Sequence, residues 1–266
     1  VFFLFGAFTT MLAGSGALTA QQFGWPPLAG CFIMGALAAA TVLRGIHTVI
    51  NSISYVVPFL ILSVAGTSLA ALCQARPDFS VIPPAARQNA LFDHWLLSAL
   101  LYVSYNLILS IAVLGPLGAH AAGRRAVKAG AIWGGLGLGA AAFMICLAIA
   151  AYYQQAALLE VPMMQIAGMI SPLLQYWFAL VLIAEVYTTA VSALYGFATR
   201  FVDLEKPGRT GKLLVLAMTL LALLASQFGF SNLVKVLYPL IGYAGLILLS
   251  GLILTRLRRK AWGRQK

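Results

Sequence analysis

The sequence predicts an all-α fold, a polytopic membrane helix bundle of eight spans. Three observations lead there. Charged residues make up 9% of the 266-residue chain against 62% hydrophobic ones, the apolar residues gather into runs of membrane length, and the basic residues crowd into alternate loops. A soluble domain carries about a quarter charged residues, and the mean hydropathy of +0.94 lies far to the apolar side. The formal charge of +11 does not point to nucleic acid, because the basic residues form no continuous stripe along which a phosphate backbone could run. The expected surroundings are a lipid bilayer.

A span needs about 20 apolar residues, each rising about 1.5 Å, to cross a hydrocarbon core of about 30 Å. Eight segments qualify: A (1–20), B (27–43), C (48–73), D (94–118), E (127–152), F (172–202), G (211–227) and H (232–256). Several ends have a local cause. Asp93 is placed to cap D, Ser171 and Pro172 supply an N-cap and first-turn pair for F, and Thr210 is placed to cap G. Pro58 in C and Pro239 in H mark kinks, which a bundle tolerates where neighbouring helices satisfy the freed carbonyl.

Orientation follows from lysine and arginine placement. Of the 17 basic residues, all but Arg76, Arg87 and Lys235 lie after B, D and F or in the tail. The positive-inside rule therefore puts the start of A and the C-terminus in the cytoplasm, as an even number of spans requires. Cys31, Cys73 and Cys146 sit in apolar runs at wide spacing, which fits core residues rather than a metal site or disulfide framework. No basic residue precedes Arg44, so no signal peptide is read, and the opening at Val1 inside an apolar run leads us to expect further sequence upstream.

Glu185 is the most informative residue, a lone carboxylate in the membrane-grade run 180–195. A carboxylate at bilayer depth costs at least about 2.5 kcal/mol, so such residues face a bundle interior, a cavity or an ion path. Thr188, Thr189 and Ser192 follow at three, four and seven residues, which puts them on the carboxylate's side of a helix. Two readings stand: a structural Glu bonded to a neighbouring helix, or a group that handles an ion, proton or solute. In D, Tyr102, Ser104, Tyr105, Asn106 and Ser110 cluster at mid-depth. They fit a helix broken at the midplane to build a solute site, or a continuous helix whose polar side chains bond its neighbours.

Span E carries Gly130, Gly134, Gly135, Gly137 and Gly139. No strand precedes them and the spacing is not a dinucleotide fingerprint, so small residues four apart are read as sites of close helix approach. Enzymatic readings fare poorly. Ala13-Gly-Ser-Gly16 resembles the nucleophile region of rhomboid-type intramembrane proteases, but Ala13 replaces the first glycine, and His47, His94 and His120 all lie at span ends. No deep base is available to activate Ser15. An Asp93–His94 pair at the start of D is read as an exposed helix-end feature.

With those residues in view, the chain resembles the YkvI family of bacterial membrane proteins, placed with the amino acid-polyamine-organocation transporters of the LeuT fold. The resemblance rests on Met11-Leu-Ala-Gly-Ser-Gly-Ala17, Tyr102-Val-Ser-Tyr-Asn106, Ala184-Glu-Val-Tyr-Thr-Thr-Ala-Val-Ser192, Phe228-Gly-Phe-Ser-Asn232 and Tyr238-Pro-Leu-Ile-Gly-Tyr243. It implies that A to H match the third to tenth helices of a five-plus-five inverted repeat. Residues 1–266 are then one transmembrane domain, with 1–92 the remainder of the first repeat and 93–266 the second repeat and its basic tail. It implies a break in D and an open groove along D and F where two helices are lacking. It also implies that Thr188 and Thr189 resemble hydroxyls that bind a coupling sodium ion in relatives.

The expected function is secondary transport of a small polar or charged solute, amino-acid-like solutes included, driven by a sodium or proton gradient across the bacterial cytoplasmic (inner) membrane. Tyr102, Ser104, Tyr105, Asn106 and Ser15 are assigned to the substrate path, and Glu185, Thr188, Thr189 and Ser192 to ion coupling. No catalytic residue, metal site, nucleic-acid partner or cofactor beyond the coupling sodium or proton is expected. The alternative is a non-transporting sensor or scaffold in which Glu185 locks helices together. A channel would need a continuous polar line through the bundle, whereas the polar residues cluster at mid-depth.

Overall fold

The computed structural model describes residues 1–44, 46–80, 94–119, 123–156, 158–204 and 208–262. Asp93, His120, Arg87, Lys206, Arg264 and Lys266 lie outside them. In chain order the helices are α1 (Phe2–Phe23), α2 (Pro27–Leu43), α3 (Ile46–Gln74), α4 (Trp95–Ala119), α5 (Arg124–Ala151), α6 (Tyr153–Ala156), α7 (Pro162–Ile170), α8 (Pro172–Ala198), α9 (Arg209–Ser226) and α10 (Phe230–Trp262). Spans A to E correspond to α1 to α5, and F, G and H to α8, α9 and α10. Five helical stretches, α1, α5, α8, α9 and Phe230–Thr255 of α10, are long and apolar enough to cross a membrane. Pro27–Leu43, Pro58–Gln74 and Trp95–Ile108 are shorter apolar stretches.

Helix ends follow from local chemistry. Gly24 takes the left-handed conformation at φ 66°, and its N–H returns to the Ala20 carbonyl at 3.0 Å, closing α1. Pro26 and Pro27 then turn the chain, with Pro27 in the first turn of α2. Ser171 and Pro172 open α8 as expected, although the Ser171 side chain makes no capping bond. Gly208, not Thr210, is the N-cap of α9, since the helix starts one residue before Thr210. At the start of α4 the exposed His94 ring accepts the Leu96 N–H through Nδ1 at 3.3 Å, a capping role consistent with an exposed helix-end residue. The sequence reading missed α7, a short helix started by Pro162 that buries Met163, Met164, Ile166 and Ala167.

Two hydrophobic cores organise the bundle. One joins α1, α2, α8 and α9 around Phe8, Leu12, Met34, Val191, Leu194 and Val215. The other joins α3, α5, α6, α7 and α8 around Val64, Ala148, Tyr152, Met164, Ile166 and Phe178, with Leu18 of α1 reaching in. Helix α8 belongs to both, and its Ile183 and Val186 pack against each core. α1 and α8 run antiparallel: Phe5 meets Phe197 at 6.0 Å between ring centroids, while at the other end Leu18 shares the second core with Phe178. α1 and α2 approach closely, because a Cβ at Gly16 would come within 2.7 Å of both Cys31 Sγ and the Pro27 carbonyl oxygen.

Three expectations are corrected. Helix α4 runs unbroken through Ser104, Tyr105 and Asn106; Ser104 and Asn106 turn back to the Leu100 and Tyr102 carbonyls at 2.6 and 2.8 Å, so their polar groups are satisfied within the helix. It is also not central. Among the described residues its packing partner is α10, while α1 and α8 occupy the middle. Second, the five glycines of span E approach no helix among the described residues, where a Cβ at each would meet nothing within 4 Å. The part of α5 that packs is its C-terminal end, where Ala141, Ile145, Ala148 and Ile149 join the second core. Third, Cys31 is buried but Cys73 and Cys146 are exposed, since they fall on outward faces of α3 and α5.

The close contact that does exist at α4 is with Gly245 of α10, where a Cβ would run into the Ser104 carbonyl oxygen. Gly245→Ala should therefore destabilise the folded protein by about 1–3 kcal/mol, the usual cost of overpacking. Gly135→Ala, on the open face of α5, should be neutral or stabilising by up to about 1 kcal/mol because alanine is the better helix former. Thermal melting of the two variants in the same detergent checks both; equal melting points would reject the α4–α10 contact.

Candidate functional site

The site is built on the middle of α8. Ser171 and Pro172 fix where this helix begins, and the apolar residues on either side of Glu185 anchor it in the two cores. Glu185 is half-buried between them. Its Oε1 accepts a long hydrogen bond from the Thr189 hydroxyl at 3.5 Å, one turn on. Its Oε2 is buried and has no hydrogen-bond partner among the described residues. Thr188 donates to the Glu185 backbone carbonyl at 3.0 Å, and Ser192 to the Thr188 carbonyl at 2.7 Å. The four residues thus share a helix surface as expected, but Thr189 alone touches the carboxylate.

Counting back roughly twelve residues from Phe197 on α8, and the same number forward from Phe5 on antiparallel α1, brings Glu185 level with Ala17. The carboxylate therefore lies at the depth of the end of the small-residue run 13–17. A carboxylate offers about four lone-pair directions, and here one weak bond uses one of them. What remains is capacity to hold a proton or to contribute oxygen to a hard cation, which takes oxygen ligands.

Two bonds lock α8 to its neighbours on either side of this point. The Tyr187 and Thr41 hydroxyls pair at 2.7 Å, tying α8 to α2, and Trp177 Nε1 donates to Ser63 Oγ at 2.8 Å, tying α8 to α3. Sequence reasoning did not find either pair, since nothing in local spacing signals a contact across 146 or 114 positions. Thr67 and Ser68 of α3 were also missed; both are fully buried with hydroxyl oxygens that have no hydrogen-bond partner among the described residues.

The residues assigned to the substrate path do not converge. Ser15 is buried between α1 and α2, its hydroxyl shared by the Leu12 carbonyl at 2.7 Å and the Gly30 carbonyl at 3.1 Å, which is a packing role. Ser104 is fully buried against α10. Tyr105 stacks on Tyr238 of α10 at 4.8 Å, and Tyr102 meets Tyr105 edge-on at 5.4 Å. Tyr102 is 41% exposed and Asn106 half-buried. The α4 cluster and Glu185 thus stand on helices without substantial mutual contact among the described residues, and neither set is fully enclosed.

No family description matches the sequence, and no solved structure does either. An uncharacterized membrane protein, YkvI of Bacillus subtilis (strain 168), is 29% identical over 98% of this chain and 73% of its own length. A second uncharacterized protein of the same organism, YyaD, is 25% identical over 96% of this chain and 72% of its own. The chain is homologous to these two Bacillus proteins over most of its length; it is helical and, like YkvI, a membrane protein.

Proposed function

We propose that the protein is a secondary transporter of a small polar or charged solute, amino-acid-like solutes included, driven by a sodium or proton gradient. One observation carries this assignment: the Glu185 carboxylate in the middle of α8, with Oε2 buried and without a hydrogen-bond partner among the described residues. A structural glutamate at this depth would offset its desolvation with bonds to a neighbouring helix. Glu185 has no such bond among the described residues, and α8 is already locked to α2 and α3 by Tyr187 and Trp177. That favours an ion- or proton-handling role over the scaffold alternative.

The unbroken, lateral α4 removes the broken-helix element of the inverted-repeat expectation, so the assignment stands on Glu185 rather than on a LeuT-like site in α4. Both relatives' chains exceed the matched stretch by about a quarter of their length. The crowding of basic residues into alternate loops and the tail supports a cytoplasmic tail, by the positive-inside rule, in this reading.

The test is gradient-driven uptake into proteoliposomes by the complete protein, screened over amino acids and small charged solutes. Glu185→Gln should abolish uptake or uncouple it from the gradient, while its melting point in detergent stays within about 3 °C of the parent, because a neutral amide is cheaper to bury than a charge. Unchanged uptake and ion dependence at equal protein levels would reject the assignment. Thr189→Val removes the one hydroxyl that touches the carboxylate and should weaken sodium dependence more than Thr188→Val, whose hydroxyl serves the backbone. If a proton is the coupling ion, both valine variants should leave sodium response flat.

A further inference from the structure

Helix α10 is longer than a bilayer requires. Its 33 residues from Phe230 to Trp262 reach about 50 Å at about 1.5 Å each, against a hydrocarbon core of about 30 Å and about 40–45 Å with both headgroup layers. The stretch apolar enough to cross a membrane ends at Thr255. The same helix continues through Arg256-Leu-Arg-Arg-Lys-Ala-Trp262, which adds about 10 Å, enough to carry the chain through one headgroup layer.

Charge in this part of the chain is one-sided. From Lys206 to Lys266 there is no Asp or Glu. Arg256, Arg258, Arg259 and Lys260 follow directly on the apolar stretch, with Arg264 and Lys266 beyond them in the sequence. Positions 256, 259 and 260 recur at the spacing of one helix face, and 257 and 261, Leu and Ala, at the spacing of another. Trp262 is a residue type that collects at membrane–water boundaries. Like charges this dense repel one another, and an anionic surface is what offsets them.

Two other helices begin with the same imbalance. Helix α5 opens on Arg124 and Arg125, with Lys128 one turn on, and α9 opens on Arg209, with Lys212 three residues on; all five are exposed. Neither first turn holds an acidic residue. A helix N-terminus already carries positive potential, so cations there are unfavourable unless negative charge comes from outside the helix.

We infer that the C-terminal end of α10 is a docking surface for anionic phospholipid headgroups, with Arg256, Arg258, Arg259 and Lys260 as the charge partners of the lipid phosphates and Trp262 at the boundary. In the eight-span order the starts of α5 and α9 fall on the same side of the bilayer and widen this surface. The occupant is a lipid rather than a free phosphate or a nucleic acid, because the basic run starts where the apolar stretch ends and so stands at headgroup depth. The surface does not depend on Glu185 or on transport.

Electron paramagnetic resonance of spin-labelled phosphatidylglycerol and phosphatidylcholine, in phosphatidylcholine bilayers holding the full-chain protein, tests it. The lipid slowed by contact with the protein should be enriched in phosphatidylglycerol by about fivefold or more, the equivalent of a single Lys or Arg near an anionic surface. Raising sodium chloride from about 0.01 to about 1 M, which shortens the Debye length from about 30 to about 3 Å, should remove most of the enrichment. Replacing Arg256, Arg258, Arg259 and Lys260 together by Gln should remove at least about half of it, whereas Lys235→Gln, in an opposite loop, should leave it unchanged. Glu185→Gln should also leave it unchanged even where uptake is lost, which separates failure of this surface from failure of the transporter assignment. Absence of enrichment, enrichment that high salt leaves intact, or full enrichment in the four-Gln variant would overturn the inference. So would displacement of the lipid by sodium phosphate beyond that by chloride at equal ionic strength, which would make free phosphate the occupant. Full displacement by one equivalent of a short RNA would overturn it in favour of a nucleic acid.

Discussion

Everything in this bundle is arranged around the antiparallel contact of α1 and α8. Helix α1 packs on α2, α8, α9 and α10, and α8 on α1, α2, α3 and α7, so the two together touch nearly every other major helix. Their contact joins the two hydrophobic cores, with Ile183 and Val186 of α8 bordering both. In a bilayer, lipid chains are as apolar as leucine, and close packing rather than water exclusion holds helices together. The alanines and glycines of α1 supply that closeness, which explains how so short a side-chain layer can hold so many neighbours. A carboxylate placed on α8 therefore sits where the helices are most constrained and where displacement of any one is felt by the rest.

Much of this was legible in the sequence. Helix positions followed from apolar run length, which is a one-dimensional property, and the expected spans agree with the observed helices to within a few residues at most ends. The grouping of Glu185, Thr188, Thr189 and Ser192 followed from helical periodicity alone. Lateral arrangement was not legible in the same way. The glycines of α5 have the spacing of a helix contact, yet nothing in that spacing tells whether a partner is present, and among the described residues none is. The polar residues of α4 admitted two readings, and i to i−4 bonds to their own backbone carry the continuous one. Tyr187–Thr41 and Trp177–Ser63 join positions too far apart for any local pattern to reveal.

The contrast between α4 and α8 also separates two ways of placing polar groups at membrane depth. In α4 the Ser104 and Ser110 hydroxyls and the Asn106 amide N–H donate to backbone carbonyls of their own helix, so these donors cost little. In α8 the carboxylate outstrips what Thr189 supplies, and part of its bonding capacity is left open. Polarity at depth is therefore a poor guide to function by itself. Unspent bonding capacity is the better guide, because only an unsatisfied group gains from a visitor.

The two bonds that flank Glu185 have a mechanical consequence. Tyr187 holds α8 to α2 on one side of the carboxylate, and Trp177 holds it to α3 on the other. Each such bond contributes on the order of 1 kcal/mol, small enough to break but large enough to make neighbours travel together. Helices α2, α3 and α8 thus form a riveted plate, and any rocking of the bundle is directed to seams without rivets. The seam beside α4 and α10 carries neither rivet: among the described residues the pair meets α1 chiefly through α10.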